Sequence, residues 1–351
     1  MMVTLSAASI VALVEAIVAF LLTGLLLSSS HKPARWFAGF SFVFGASFLL
    51  QIFFEQVPGA RVRGLLLWFS WLWLLAMPCL YQYAGLAMAW KHRAGWMHFV
   101  LAPVMALVLG VSIAYGEMAL AFSVARWVLV LQVFGYGIHI LMATRRYRDA
   151  LREDHSNLHG IDLAWLERLL VLLMMLVGFD MALFPLLGIF GVPHATVQFY
   201  FNFLSSLYLL WLAREAARQH FVAWTSATKP AAEPRGVDDD SIRALAADLD
   251  ARMKEARWYR EPELTLGQLA AHMGMSRHLL SEVLNKGVGR SFYDYVNELR
   301  VAAASDILLQ SEKSIIDAAF DAGFNNKASF NRAFKAQLGM TPSQYRREKK
   351  H

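Results

Sequence analysis

Seven long apolar runs are the feature that most constrains how this chain of 351 residues can fold. Each run approaches or exceeds the roughly 20 residues that an α-helix needs to cross a hydrocarbon core about 30 Å thick. Tryptophans such as Trp36, Trp96 and Trp211 lie near the ends of the runs, as in the aromatic belts of membrane proteins. A large soluble helical core is the alternative, but seven such runs in a chain with 57% hydrophobic residues favour membrane spans. The runs are 5–27, 36–54, 65–89, 96–113, 120–143, 166–190 and 195–213.

The basic residues between the runs predict the orientation of the chain. Ten of them follow the first, third, fifth and seventh runs, whereas Arg61 and Arg63 follow the second. Because cytoplasmic loops carry the excess of Lys and Arg, the N-terminus is expected outside and the C-terminus in the cytoplasm. The single cysteine, Cys79, excludes an intrachain disulfide and fits a reducing cytoplasm. The ten basic residues are Lys32, Arg35, Lys91, Arg93, Arg145, Arg146, Arg148, Arg152, Arg214 and Arg218.

A linker and a helix separate the apolar half from the C-terminal part. Segment 219–240 is rich in small residues, Pro and charge, and is therefore interpreted as a linker. Segment 241–260 is predicted to be a helix with an apolar stripe formed by Ile242, Leu245, Leu249, Met253 and Ala256. Two interpretations of this stripe stay open: it packs against the following domain, or it forms a dimer seam that continues the membrane domain.

The C-terminal part, 261–351, contains two helix-turn-helix patterns, of which the first is 264–286. Thr265 and Gln268 form a capping box, Gly274 ends a short helix, and Ser276 caps the next one. A short helix, a turn with Gly and a second helix that begins on Ser predict a DNA-reading unit.

The same pattern recurs after a connecting helix that starts at Ser291. Ser314 and Asp317 form a second capping box, Gly323 makes the turn, and Asn326 caps a second reading helix. The apolar positions expected to face the core are Ile315, Ile316, Ala319 and Phe320 in the first helix and Phe330 and Phe334 in the second.

The stretch GFNNKASFNRAFKAQLGMTPSQYR resembles the C-terminal signature of the AraC family of bacterial transcription regulators, and the resemblance extends over about Leu264 to Arg347. It implies two reading helices about one DNA turn apart that enter successive major grooves. It also implies RNA polymerase as a partner and a bacterial source, in which the apolar runs predict the inner membrane as the location. Two positions depart from the pattern. Asn326 stands where Ser is commoner, and Glu282 on the first reading helix would repel phosphate unless it accepts from a cytosine amino group.

The candidate DNA-binding residues are those on the reading helices that point away from the apolar stripe. Arg332 and Asn331 have the donor geometry for guanine and adenine edges, whereas Ser329 and Lys335 are expected to contact phosphates. For each residue, a solvated helix face is the alternative. From Ser241 onward, 17 Lys and Arg against 13 Asp and Glu suit sequence-selective binding better than non-specific coating. The remaining candidates are Arg277, His278, Ser281 and Asn285 on the first helix and Lys327 and Ala328 on the second.

Ionisable residues inside the apolar runs are the candidates for a membrane signal site, because charges in a bilayer are costly unless they are paired. They are Glu15, Arg126, His139 and Asp180. A pair of Arg126 with Glu15 or with Asp180 could be a structural link between helices or could line a ligand or proton site. Both interpretations stay open.

Motifs of enzymes and metal proteins carry little weight in this sequence. His155 and His159 have i, i+4 spacing between the fifth and sixth runs, but a solvated cytoplasmic loop is favoured over a metal site. The sequence contains no Gly-rich phosphate loop, Cys pair or HExxH motif. We therefore expect neither catalytic residues nor a cofactor.

Together these patterns predict an all-α chain: a seven-helix transmembrane bundle (1–218) followed by a cytoplasmic tandem helix-turn-helix domain. The predicted function is a membrane-embedded one-component transcription regulator whose membrane domain receives a small-molecule or envelope signal. The predicted partners are double-stranded promoter DNA and the lipid bilayer, with a homodimer as a further expectation. The alternatives are a transporter or intramembrane enzyme that carries a regulatory DNA-binding domain, and a membrane tether without a sensing role.

Overall fold

The computed structural model describes residues 7–28, 32–56, 69–90, 95–115, 118–158, 161–192 and 238–349, together with 200, 203–205, 207–208, 211 and 215. These residues are helices and connecting turns, apart from one isolated antiparallel bridge between His155 and Thr265. The all-α prediction is thereby confirmed for the described part of the chain. The chain divides into two compact units, unit 1 (Met1–Thr144 and Leu163–Trp224) and unit 2 (Arg145–Asp162 and Thr225–His351).

Unit 1 contains the apolar helices. Four stretches of the described residues are long and apolar enough to cross a membrane: Ser9–Leu27, Pro33–Leu50, Gly95–Tyr115 and Ser123–Arg152. Most of the seventh predicted run, 195–213, lies outside the described residues, so the count of seven spans stays a prediction. The helices are α1 (Ala7–Leu27), α2 (Lys32–Gln56), α3 (Ala76–Ala87), α4 (Leu101–Tyr115), α5 (Met118–Arg152) and α6 (Ala164–Ile189).

Two of the predicted spans begin with a 3₁₀ segment. Phe69–Leu75 precedes α3 and Gly95–Phe99 precedes α4. Pro78 and Pro103 then fall in the first turn of each α-helix, close to the change from 3₁₀ to α geometry. Pro lacks the backbone N–H that would continue the ladder of hydrogen bonds at this point.

Small residues bring α1 and α2 together. Ala12, Ala16 and Ala19 are at most 1% exposed, and the Ser41 hydroxyl donates to the Ala19 carbonyl at 2.7 Å. Small side chains and hydroxyl hydrogen bonds are typical of helix packing in membranes, where lipid supplies no hydrophobic drive between helices. Large apolar side chains such as Leu21 (70% exposed) instead point outward.

The two units differ in how they place large hydrophobic residues. Among the described residues, the exposed large hydrophobics of unit 2 are Ile316, Phe320 and Leu338, and all the others lie in unit 1. A surface covered with apolar side chains is what a lipid solvent requires and what water disfavours.

Unit 2 contains the C-terminal helices, which form two hydrophobic clusters. The first cluster lies around Leu269, Leu280 and Leu284, and the second lies around Phe330 and Phe334. The helix α10 supplies residues to both clusters and so joins the two helix-turn-helix units. The helices are α7 (Asp239–Ala256), α8 (Leu266–Met273), α9 (Arg277–Glu282), α10 (Phe292–Gln310), α11 (Ile315–Asp321), α12 (Lys327–Leu338) and α13 (Pro342–Lys349).

The apolar stripe of α7 packs inside unit 2. Leu249 and Met253 are fully buried in the first cluster, and Leu245 packs against it. A Cβ on Gly287 would lie 2.9 Å from the Cβ of Ala246, so the close approach of α7 requires glycine there. The stripe of α7 thus packs against the following helices of unit 2, and the dimer seam stays a prediction.

The prediction of the buried face of α11 is wrong in part. Ile316 and Phe320 on α11 are 40% and 49% exposed, although both were expected to face the core. The helix has only seven residues, and Ala318, Ala319 and Phe324 fill the second cluster instead.

The connection between the fifth and sixth apolar runs is also not the solvated loop that its charges suggest. Leu151, Ser156 and Leu158 are at most 6% exposed, and the whole segment 145–162 belongs to unit 2. Helix α5 extends to Arg152, beyond the predicted end at 143, so its last turns also belong to unit 2.

Candidate nucleic-acid interface

The first reading helix, α9, is built by local capping. The Thr265 hydroxyl and the Gln268 side chain form the predicted capping box of α8, and Gly274 ends that helix with a φ of +66°. The Ser276 hydroxyl then accepts from the backbone N–H of Leu279 at 3.1 Å and starts α9. Helix α9 continues into a π-helical turn, Val283–Val288.

The polar residues of the first reading helix already have partners within unit 2. Arg277 Nη2 lies 2.9 Å from Asp154 Oδ1, and Asn285 Nδ2 lies 3.4 Å from Glu153 Oε2. His278 is exposed, and Ser281 is half-buried. The first reading helix therefore presents its predicted DNA-binding side chains on one accessible side, next to two carboxylates.

Glu282 is neutralised locally. The Lys286 ammonium donates to Glu282 Oε1 at 2.7 Å, and this hydrogen bond lowers the pKa of the Glu282 carboxyl and raises the pKa of Lys286. The repulsion expected between Glu282 and DNA phosphate is thereby reduced.

The second reading helix, α12, is held by an asparagine cap and two phenylalanines. The Asn326 side chain accepts from the backbone N–H of Ser329 at 2.7 Å. Phe330 and Phe334 are fully buried, with ring centroids 5.3 Å apart. On the opposite side, Lys327, Ala328, Arg332 and Lys335 are exposed, and Ser329 and Asn331 are half-buried.

Gly323 makes the turn before α12 for a steric reason. Its φ is +99°, and a Cβ there would lie 2.6 Å from the Tyr259 carbonyl oxygen and 2.7 Å from Arg260 Cα. Both neighbours are backbone atoms that cannot rotate away. Glycine is therefore required by conformation and by space.

An open groove lies beside the second reading helix. It has a volume of about 590 Å³ and is lined by Lys327 and Asn331 of α12 together with Arg346 of α13. The N-caps Ser314 and Thr341 also line it, and a guanidinium nitrogen of Arg346 donates to the Lys313 carbonyl. This composition suits a DNA phosphate, and Arg346 is a residue that the sequence reasoning missed.

The segment after α5 pairs with unit 2 as a short antiparallel bridge. The backbone N–H of Ser156 donates to the Leu264 carbonyl at 3.2 Å, and the N–H of Leu266 donates to the Asp154 carbonyl at 3.0 Å. The Ser156 hydroxyl donates to the same Leu264 carbonyl at 2.7 Å. The segment is thus fixed by main-chain bonds next to the N-terminus of α8.

Arg300 of α10 ties this segment to the core. It is 1% exposed; its Nε donates to the Tyr259 carbonyl and its Nη2 to the Glu261 carbonyl, both at 2.6 Å, and Nη2 also lies 3.2 Å from Ser156 Oγ. Burial lowers the pKa of the guanidinium to about 10, so Arg300 stays charged at neutral pH.

Tyr293 of α10 connects the segment with the second reading helix electrostatically. The guanidinium of Arg152 lies over its ring, 5.8 Å from the centroid. Burial raises the pKa of the Tyr293 phenol, and the nearby charges of Arg332 and Arg152 act in the opposite direction. Arg332 therefore adds positive potential close to the end of α5.

The four candidate residues for a membrane signal site do not form one cluster. Arg126 Nη2 on α5 donates to the Asp180 carboxylate and to the Asp180 carbonyl on α6, each at 3.0 Å, so this is the pair that forms. His139 lies 13 residues further along α5, about 20 Å along the axis, and its ring packs against Tyr81 and Trp90. Glu15 of α1 is 1% exposed.

Unit 2 contains two capped helix-turn-helix units whose accessible sides carry basic and amide side chains, an arrangement typical of DNA-binding helix-turn-helix domains. Residues 269–348 match the family described as "Helix-turn-helix domain". This supports the expected AraC-type domain at the C-terminus.

Three curated relatives are similar to this part of the chain. An HTH-type transcriptional regulator of Staphylococcus aureus (strain COL), named as uncharacterized, is 29% identical over 110 residues, which cover 31% of this chain and 14% of that protein. The uncharacterized HTH-type transcriptional regulator YtdP of Bacillus subtilis (strain 168) is 33% identical over 90 residues, 26% of this chain and 12% of that protein. The HTH-type transcriptional regulator MtrA of Neisseria gonorrhoeae is 32% identical over 88 residues, 25% of this chain and 29% of that protein. The chain thus spans less than a third of the length of each relative.

Proposed function

We propose that this protein is a membrane-embedded one-component transcription regulator that binds promoter DNA through α9 and α12. The observation that carries the proposal is the pair of capped reading helices in unit 2, each with polar side chains on its accessible side. Arg332 and Asn331 would read base edges, and Lys335, Ser329 and Lys327 would position the duplex through its phosphates. The match of residues 269–348 to a helix-turn-helix family supports the same role.

Two exposed cations on α12 provide a matched test of base reading. We expect Arg332→Ala to weaken binding to the selected duplex by about 1–3 kcal/mol and to relax preference at one base pair. Lys335→Ala should instead weaken binding to all sequences alike and lower the slope of log K against log salt by about 1. Anisotropy titrations against a duplex selected from random DNA measure both quantities. If Arg332→Ala changes all sequences equally, Arg332 does not read a base.

We propose that unit 1 lies in the bacterial inner membrane with the N-terminus outside and the C-terminus in the cytoplasm. The four apolar helices and the exposed large hydrophobic residues of unit 1 support this placement, as does the excess of basic residues after the odd-numbered runs. A reporter enzyme active only in the periplasm, fused after His351, should be inactive, whereas a cytoplasmic reporter at the same site should be active. The opposite pattern would reject the orientation.

Signal reception by unit 1 is proposed around the Arg126–Asp180 pair. The pair links α5 and α6 within the apolar runs, where charged side chains are costly and mark candidate functional sites. Asp180→Asn should leave insertion and DNA binding intact but hold transcription of the target promoter in one state. Normal inducibility of this variant would leave the pair with a structural role. A transporter with an attached regulator is the second candidate, and it would show transport by a chain truncated near Gln219.

A further inference from the structure

We infer that the acidic turn after α5, formed by Glu153 and Asp154, competes with DNA for the first reading helix. The inference rests on the proposed function and adds a regulation of the same site. Here "acidic turn" means these two residues.

The acidic turn occupies the side of α9 that is predicted to face DNA. Arg277, Ser281 and Asn285 follow each other at intervals of four residues, and the turn contacts the first and last of them. Asp154 Oδ1 takes the position relative to Arg277 Nη2, 2.9 Å away, that a phosphate oxygen would take in a complex. A duplex that uses Arg277 must therefore displace this carboxylate and also approach the charge of Glu153.

The two carboxylates are not what holds the segment in place. The segment is fixed by backbone bonds between Ser156 and Leu264 and between Leu266 and Asp154, and by Arg300 at Ser156. Asp154 takes part in the backbone pairing through its carbonyl, so removal of its side-chain charge leaves that bond intact. The charge of the turn can thus be changed separately from its docking.

We expect the acidic turn to lower the affinity for DNA by degree rather than to abolish binding. Arg277 and Asp154 form a partly exposed ion pair, with side chains 43% and 21% exposed, so solvent weakens the attraction between them. When it opens, however, a cation becomes available to phosphate and one anion fewer repels the duplex. The acidic turn directly follows α5, which ends at Arg152.

Charge-neutral variants of the full-length protein in detergent or nanodiscs test the inference. The duplex is one that the wild-type protein selects from random DNA. Asp154→Asn should bind it about three- to tenfold more tightly than wild type, and the slope of log K against log salt should steepen by about 1 because Arg277 gains a phosphate contact. Glu153→Gln should tighten binding in the same direction by a smaller factor.

Asp149→Asn is the matched control. Asp149 is exposed on the last turns of α5, five residues before Asp154 in the sequence. Its replacement by Asn removes the same charge as Asp154→Asn does. It should leave both affinity and salt slope unchanged. In the background of Arg277→Ala, Asp154→Asn should lose most of its gain, because the competition acts through Arg277.

The outcomes distinguish a failure of the proposed competition from a failure of the proposed function. If wild type prefers its selected duplex but Asp154→Asn and Glu153→Gln bind like Asp149→Asn, the competition is refuted and the regulator remains. If Asp154→Asn fails to fold, Glu153→Gln decides, because its contact of 3.4 Å contributes little to the fold. If wild type selects no duplex, the proposed function itself fails.

Discussion

At the scale of single residues, Arg300 is a buried charged side chain that holds together several backbone segments of unit 2. Arg300→Met removes a buried donor and leaves the carbonyls of Tyr259 and Glu261 without the bonds that they accept in the wild type. Since an unsatisfied buried polar group costs about 1–3 kcal/mol, we expect a loss of about 2–5 kcal/mol in the opening free energy of unit 2. Hydrogen-exchange mass spectrometry on peptides of α10 measures this loss without interference from unit 1.

The control for Arg300 is Arg243→Met. Arg243 pairs with Asp240 in an exposed i, i+3 arrangement on α7, with side chains 72% and 92% exposed. Exposed pairs of this kind contribute little, so exchange in α10 should not change. Equal protection in wild type and Arg300→Met would show that the buried network does not support the unit.

At the scale of elements, the caps decide where the reading helices begin. Asn326→Ala removes the acceptor for the Ser329 N–H at the start of α12 and should destabilise unit 2 by about 0.5–2 kcal/mol. Asn326→Ser should restore most of the stability, because a serine hydroxyl also caps. Exchange rates of the first amides of α12 report the difference. A faster rate in Asn326→Ser than in Asn326→Ala would contradict the capping role.

The sequence predicted the helix starts of unit 2 but not the docking of segment 145–162. Caps such as Thr265, Ser276 and Asn326 act within three or four residues, so their patterns in the sequence were sufficient to place α8, α9 and α12. The docked segment was missed because Ser156 and Leu264 are 108 residues apart, and no local pattern encodes such a contact. The charges of the segment suggested a solvated loop, although its apolar residues Leu151, Leu158 and Ile161 are buried.

For the candidate DNA-binding residues, the sequence predicted which side of the helix they lie on but not which residues they contact. Arg277 and Asn285 were identified as DNA-binding candidates by their phase on the helix, and both are exposed. Their contacts with Asp154 and Glu153 depend on tertiary docking, as does the groove to which Arg346 contributes. Helical phase gives the side of a helix on which a residue lies, but not what lies opposite.

At the scale of the whole molecule, the two parts of unit 2 are separated in the sequence by residues of unit 1. The C-terminal fragment 238–351 therefore lacks the segment that supplies Ser156 and Leu158 to its surface. We expect this fragment to be less stable alone and to regain stability when a synthetic peptide of residues 145–162 is added. By linkage, peptide at a hundredfold excess over its Kd should stabilise the fragment by about 2.7 kcal/mol, seen as a rise of several degrees in Tm.

The control peptide carries Ser156→Pro, which removes the N–H that donates to Leu264 and the hydroxyl that meets Arg300. Pro cannot donate to a bridge, so this peptide should bind weakly and leave Tm unchanged. If the fragment alone is as stable as with the wild-type peptide, the segment does not complete the unit. A membrane tether without a sensing role would then become the better account, because the C-terminal fragment would need nothing from the apolar half of the chain. If the wild-type peptide raises Tm and the Ser156→Pro peptide does not, the C-terminal helices depend on segment 145–162 for their stability.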